Sequence, residues 1–518
     1  MPRGAAAYRL IPGRLVPAGG WAWLAPPVAA LGILLARSHL ARVDAVLVAA
    51  GLIAVVYLRP RWFLFAIPVV YPFQLFLLSA AYRAGLGASV VRDLGYWIEL
   101  VAVGLALRAA RNHRRRPLDA LDWTGLTYVV VVSLYRLAPT LLVAAGPNGP
   151  PTAGTILNTA LRNDVFFVVM FLVARHLGVS HRDRRRFALI IFSVGVVVSL
   201  TGAYEYLASS SWNHFVVHTL GVTHYQTEVL KTPVHNLEDV RVYTLTAGHK
   251  LLRIGSIFID QLECAFFLVG CLAIGCEYLA GNGKRRWLVA AGTFSVAVAL
   301  VLTQTRDAIL AGTVVAAMLL RPLPHRDRLR RVQLSLLAGL TVVLLLPVAL
   351  AVGLGTRATA AINGQDHSTA VHLTALGKGT SALLDQPLGR GLGTGGTNGT
   401  RFGVATTLTS EDQYLQIGNE TGIFSLIPFL GLTVLIARRL RRVAGEGGSW
   451  TAGAWSGAFV GLALAGLLLQ VWLSLITAVI VWTAVGMDLS PEADRPPSRP
   501  VPEPVDAGRP AALTTVGG

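Results

Sequence analysis

Two arginines and one polar loop hold most of the side chains able to act on a charged substrate. The loop runs from Gly355 to Gly422 and carries His367, His372 and Lys378. It continues through DQPLGRGLGTGG (Asp385 to Gly396), which contains Arg390, and closes with EDQYLQIGNETG (Glu411 to Gly422). Upstream, Arg253 opens RIGSIFIDQLECA and Arg306 sits in TQTRDA beside Asp307. A guanidinium fixed near a reacting centre grips phosphate oxygens bidentately. A carboxylate whose pKa is raised by desolvation, or an imidazole, accepts the proton of an attacking hydroxyl. Glu411, Asp412 and His372 are therefore the candidate catalytic groups. Arg306, Arg253, His367, Lys378, Arg390 and Tyr414 are the candidate contacts to an anionic substrate. Each has a plainer alternative. Acidic residues at 411 and 412 also suit a helix N-terminus, and Arg306 and Arg136 also suit an interfacial anchor. Asp260 and Glu263, about two turns into the next apolar run, either pair with Arg253 or Arg306 or face the substrate.

The elements that position these residues are apolar. The chain of 518 residues is 53% hydrophobic and 14% charged, with mean hydropathy +0.57; a soluble chain carries about a quarter charged residues. Runs near the roughly 20 residues needed to cross a bilayer recur throughout, giving about 12–14 expected spans. They lie near Trp21–Ala36, Val43–Leu58, Trp62–Ala81, Leu94–Ala110, Trp123–Ala145, Asp164–Val179 and Phe187–Leu207, then Ile254–Leu279, Trp287–Thr303, Ala308–Leu320 and Val332–Leu354, and finally Tyr414–Ala437, Gly453–Val471 and Leu473–Met487. With a cytoplasmic N-terminus, the dense basic runs at 59–61, 111–116, 182–186, 284–286, 321–331 and 438–442 all fall on one side, as the positive-inside rule requires. That pattern places both termini in the cytoplasm and the loops 208–253 and 355–411 outside. The chain divides into an N-terminal bundle (1–207), a first external loop (208–253), central helices (254–354), the large external loop (355–411), C-terminal helices (412–487) and a Pro-rich, disordered cytoplasmic tail (488–518). The basic N-terminus leads into a retained helix rather than a cleaved signal.

Several other chemistries are set aside. The net charge of +18 arises from basic runs between spans, not from a separate basic domain, so nucleic acid is not an expected partner. Gly391, Gly393 and Gly396 contain the spacing of a dinucleotide fingerprint without the strand and helix it requires. These glycines instead let backbone approach a bulky head group and place amides near phosphate, or simply loosen the loop. Cys264, Cys271 and Cys276 share one apolar segment and act as small hydrophobes. His214 and His218 have i,i+4 spacing but no third ligand nearby, so no metal site is expected. Asn398-Gly399-Thr400 is a sequon-like triplet with no specific consequence.

Taken in order, these motifs resemble the O-antigen ligase and O-antigen polymerase superfamily. The resemblance rests on a loose R-x-x-G-S at Arg253-Ile254-Gly255-Ser256, one residue shorter between Arg and Gly, and on a span ending in Thr305-Arg306. It continues with P-L-G-x-G-L-G in the loop and Y-L-Q-x-x-x-E-x-G leading into the next apolar run, covering about Arg253 to Phe429. It implies an all-α polytopic membrane protein with a lipid-sugar-using glycosyltransferase-like fold and short helices in the external loop. It further implies a glycan donor linked through pyrophosphate to undecaprenol, transfer to an acceptor hydroxyl at the outer face of the cytoplasmic (inner) membrane, inversion at the anomeric carbon, and no metal or cofactor. Arg306 would bind the pyrophosphate with help from Arg253. Two positions depart from the family: an arginine commonly stands where His372 aligns, and H-N-x-Y-L stands where this chain has Glu411 to Leu415. The family's base is that histidine, so Glu411, Asp412, His367 or His372 would take its role.

The leading expectation is a glycan ligase or polymerase whose partners are the polyprenyl-pyrophosphate donor, a glycan, lipid or protein acceptor, and the bilayer. A transporter or flippase for an anionic amphipathic lipid is the alternative, and would spread its charges along a through-path. A catalytically inactive relative acting as a scaffold is a third reading.

Overall fold

The computed structural model describes residues 41–113, 117–138, 154–232, 234, 236–246, 249–280, 286–319, 367–396, 411–447 and 449–491. Within these the chain is mostly helical. Helices α1 (Ala41–Leu58) and α2 (Pro60–Val70) meet at a bend of 110°. Pro60 suits the first turn of a new helix, where its missing N–H is not needed. Next come α3 (Gln74–Arg83), α4 (Ala88–Leu94), α5 (Trp97–His113), α6 (Ala120–Leu137), α7 (Gly154–His176) and α8 (His181–Leu207). After α9 (Ser209–His214) the chain winds through two π-helical turns to Val229 and pairs β1 (Val242–Thr246) antiparallel with β2 (His249–Arg253). The second half contains α10 (Gln261–Ala280), α11 (Arg286–Leu302), α12 (Arg306–Leu319) and α13 (His367–Asp385). It ends with α14 (Gln413–Thr421), α15 (Ile423–Gly447), α16 (Trp450–Ala465) and α17 (Leu475–Asp488).

Four of these helices are long and apolar enough to cross a membrane: Ile156–His176, His181–Leu207, Gln261–Ala280 and Ile423–Glu446. The bent pair α1–α2 makes five if taken as one span. Leu47, Trp62, Leu200, Trp287 and Ile427 turn outward rather than into the core, as lipid-facing side chains do. The expected series of about fourteen uniform spans is corrected in several places. The run Trp62–Ala81 breaks at Tyr71–Phe73 between α2 and α3. The run Tyr414–Ala437 breaks at Gly422, so α14 is a separate helix of 9 residues. The span placed at Ile254 begins at Gln261, after a 3-10 turn at Ser256–Phe258. The β1–β2 hairpin departs from the all-α expectation. The spans near Trp21–Ala36 and Val332–Leu354, the loop residues 355–366, the sequon at Asn398 and the tail beyond 491 lie outside the described residues.

The core is aromatic. Phe167, Phe171, Phe429, Phe459, Trp472 and Trp482 pack with ring centroids between 4.9 and 6.3 Å apart. These rings join α7, α15, α16 and α17 around one buried cluster. Backbones approach closely where side chains are small: a Cβ at Gly486 of α17 would lie 2.4 Å from the Phe171 carbonyl oxygen of α7. Small residues at a helix crossing serve this purpose in a membrane, where packing replaces the hydrophobic drive.

At one end of the bundle the helices are tied by charge. Asp119 caps α6 and forms a capping box with Asp122. The Arg175 guanidinium, fully buried, donates to both carboxylates and, through Nε, to the Leu489 carbonyl at 2.9 Å. Arg184 reaches Asp488 at 3.5 Å, and Thr451 donates to the same carboxylate at 2.9 Å. These contacts gather the start of α6, the end of α7, the start of α8, the start of α16 and the end of α17. The basic runs at 59–61, 111–113 and 182–186 therefore share one end. At the far end of α8, Glu205 accepts from the Gly255 and Ser256 amides that follow β2.

Removing the Arg175 guanidinium strands two carboxylates against a buried backbone. Arg175→Met is expected to destabilise the fold by about 3–5 kcal/mol. A thermal melt in detergent that leaves the midpoint unchanged would show that the network carries no stability.

Candidate functional site

The site is built first around the turn between α11 and α12. Arg253, the last residue of β2, donates from Nε to the Thr303 carbonyl at 3.0 Å and from Nη2 to Thr305 Oγ1 at 3.1 Å. Gln304 returns a bond from Nε2 to the Leu252 carbonyl at 3.1 Å. Its φ of 52° is a left-handed conformation unusual for glutamine, and the reciprocal bonds to β2 hold it. The hairpin therefore fixes the turn from which Arg306 starts α12.

Asp307, beside Arg306, lies within electrostatic reach of His372, Arg306 and Arg253. His372 stands on α13 and contacts the Glu411 carboxylate through Nδ1. Both side chains are about one-third exposed, at 31% and 38%, so they are neither sealed in the core nor fully solvated. Asp307 is thus the carboxylate that two guanidinium groups and the Glu411-paired imidazole all influence. An orienting carboxylate on one ring nitrogen leaves the other free to exchange protons.

Other candidate residues fall elsewhere. Asp412 is the N-cap of α14: its Oδ1 accepts from the Leu415 amide at 2.7 Å. Burial pushes its carboxyl up to about 6, against the opposing pull of the Leu415 and Tyr414 amides. The cap is what the structure shows for Asp412. Tyr414 turns inward; its hydroxyl donates to the Ala463 carbonyl at 2.8 Å and its ring packs 5.9 Å from Phe429. It joins α14 to α15 and α16, away from any open surface. Lys378 is exposed on α13, roughly 120° around the helix from His372 at 100° per residue. The His367 backbone opens α13, and its side chain lies outside the described residues. Arg390 is half-buried, and its Nε has no hydrogen-bond partner among the described residues. Arg136 donates to Asn158 Oδ1 at 2.8 Å. Asp260 caps α10, and Glu263 accepts from the Ile476 amide at 3.0 Å. Among the described residues no group of three His, Cys, Asp or Glu side chains is placed to hold a metal.

The glycine run does something the sequence did not disclose. The Glu420 carboxylate, wholly buried on α14, accepts from the Gly393 amide at 2.8 Å and the Gly395 amide at 3.0 Å. Its own carbonyl accepts from Gly391 at 3.0 Å, and the Asn419 carbonyl accepts from Arg390 at 2.7 Å. Gly389 (φ 83°) and Gly422 (φ 71°) lie backbone to backbone: a Cβ on Gly389 would stand 2.6 Å from the Gly422 nitrogen. The buried Asp164 carboxyl of α7 lies within electrostatic reach of Glu420, and Tyr135 donates to the Leu388 carbonyl at 2.6 Å. The amides of Gly391, Gly393 and Gly395 therefore face α14, not a phosphate, which corrects the expectation that they approach a head group. Glu420 enters the sequence analysis only as the glutamate of Y-L-Q-x-x-x-E-x-G, and its organising role was missed there. Its one signal was an acidic residue two positions before a glycine, embedded in a polar helix.

No family model matches the chain, and no curated protein matches it significantly.

Two outcomes follow. Glu420→Ala leaves two buried amides without an acceptor, at about 1–3 kcal/mol each, and should lower the melting midpoint while exposing residues 386–396 to protease; an unchanged cleavage pattern would refute its role. An aspartate titrates near 3.9 in the unfolded chain, whereas Asp412 titrates at about 6 when folded. Between these values the folded protein holds a proton that the unfolded chain releases. Stability therefore falls as pH rises through this window. Asp412→Asn, which still caps the helix, should flatten the melting midpoint across pH 4 to 6.

Proposed function

We propose that the protein is a membrane glycan ligase or polymerase that transfers a glycan from a polyprenyl-pyrophosphate carrier to an acceptor hydroxyl. The observation that carries this reading is the His372–Glu411 pair within electrostatic reach of Asp307, whose other charged neighbours are Arg306 and Arg253. A base and a set of phosphate-gripping cations at one centre are the two requirements of displacement at an anomeric carbon.

In this mechanism His372 accepts the proton of the acceptor hydroxyl, with Glu411 orienting the ring and balancing the imidazolium that forms. The acceptor oxygen bonds to the anomeric carbon from the face opposite the leaving group, so configuration inverts. The glycosidic C–O bond breaks with its electron pair passing to the pyrophosphate. Negative charge grows there, and the Arg306 and Arg253 guanidinium groups, fixed by the hairpin and its turn, stabilise it without reorganising. Asp307 keeps the two arginines from repelling each other before the donor arrives. His372 thus takes the place of the histidine that the related motif carries at the position of Glu411, and Glu411 becomes its partner.

Purified protein incubated with an undecaprenyl-pyrophosphate glycan and candidate acceptors should release undecaprenyl pyrophosphate and form a glycosylated product. Carrier movement without glycan transfer would favour a transporter. His372→Ala is expected to lower turnover by about a hundredfold or more, and Arg306→Ala by at least roughly tenfold. Glu411→Gln should retain partial activity with a displaced pH profile. If His372→Ala turns over like the parent chain, the base lies elsewhere.

A further inference from the structure

At the opposite end of α8 the structure holds a second charged feature that the proposed reaction does not use. A cavity of about 370 Å³ opens between the start of α2, the end of α5 and the turn joining α7 to α8; Arg61, Arg108, Asn112, Arg175, His176 and Asp183 contribute to its lining. Arg175 is saturated by Asp119 and Asp122 and forms a fixed floor. Asp183, at 3.5 Å from Arg61 and 3.8 Å from Arg186, is balanced by both. Arg61 is 72% exposed at the rim. Across from it, Arg108 lies over the Tyr57 ring at 5.8 Å, with Arg111 donating to the Tyr57 hydroxyl at 2.9 Å. Two guanidinium groups thus line a concave space, with Arg186 sharing the Asp183 carboxylate that Arg61 also contacts.

Exposed apolar side chains neighbour these arginines along α1, α2 and α5. Leu58 and Trp62, on either side of Arg61, and Leu107, beside Arg108, are exposed large side chains. Cations at helix ends with tryptophan and leucine beside them match the boundary where lipid headgroups meet acyl chains.

We propose that this cavity binds a phosphate-bearing anion, and that its occupant is the headgroup of an anionic phospholipid. The phosphate sits between Arg61 and Arg108, and the acyl chains run along Leu58, Trp62 and Leu107. The position of these apolar side chains favours a lipid over soluble phosphate, whose binding would leave them without a role. The cavity shares no lining residue with the His372–Glu411 pair, so the lipid assignment does not rest on the proposed transfer reaction.

The test uses the full chain in phosphatidylcholine nanodiscs. Increasing fractions of phosphatidylglycerol or cardiolipin are added in one arm and inorganic phosphate in another. Bound lipid is counted by native mass spectrometry and stability is followed by thermal melts. Phosphatidylglycerol should be retained and raise the melting midpoint. Arg61→Ala with Arg108→Ala should weaken that retention by about tenfold, and the paired lysine variants should restore part of it. Arg438→Ala with Arg441→Ala removes the same charge from exposed positions on α15 outside the cavity and should leave retention unchanged. Equal retention of phosphatidylcholine and phosphatidylglycerol would overturn the proposal, as would retention unaffected by the Arg61/Arg108 pair or lost equally in the Arg438/Arg441 pair. Saturation by inorganic phosphate with no preference for anionic lipid would overturn the lipid assignment and identify the occupant as soluble phosphate.

Discussion

A buried carboxylate holding backbone amides is the interaction on which the candidate site depends. Glu420 is wholly enclosed, and a carboxylate in such a place requires donors on its oxygens. The amides of Gly393 and Gly395 supply them, with Gln416 contributing a longer bond at 3.3 Å. In return the glycine run is drawn down onto α14. That contact requires the backbone of Gly389 to lie against Gly422, and Gly422 in turn ends α14 and lets α15 leave in a new direction. The loop, the short helix and the following span are consequently one mechanical unit. Asn419 extends it by donating to the Gly379 carbonyl of α13 at 3.0 Å, so the helix bearing His372 is referenced to the same carboxylate.

The other half of the site is fixed by different means. Arg253 and Gln304 cross-link the end of the hairpin to the turn ahead of Arg306, using side-chain bonds to backbone carbonyls rather than packing. Glu205, near the end of α8, accepts from the Gly255 and Ser256 amides at 3.1 and 2.6 Å and so fixes the segment following β2. Each half uses an acidic residue on a helix to organise a non-helical stretch. The polar residues of the mouth can then be held in place without a large hydrophobic core of their own.

Much of this plan was legible from residue types. The apolar runs and the segregation of arginine follow from hydropathy and charge. The breaks were not legible. A run such as Tyr414–Ala437 reads as continuous apolar sequence because hydropathy does not register that Gly422 adopts a positive φ. The hairpin at Val242–Arg253 was hidden within a stretch whose length suggested a loop, since its pairing is set by contact with the Thr303–Thr305 turn. Glu420 was hidden for a related reason. A carboxylate satisfied by distant backbone amides leaves no partner residue in the sequence to betray it, whereas an acidic residue at the start of a helix, such as Asp412, is readable as a cap from local sequence.

The glycine run also has a consequence for selectivity. A row of glycine amides would ordinarily attract any small anion that reached it. Here that role is filled from within, by an anion carried on the same polypeptide and therefore present at an effective concentration no dissolved phosphate approaches. Inorganic phosphate competes poorly for those amides, and among the described residues the cations left for an entering anion include Arg253, which the hairpin holds. Discrimination among anions at this end of the molecule thus passes to the geometry of Arg253 and Arg306.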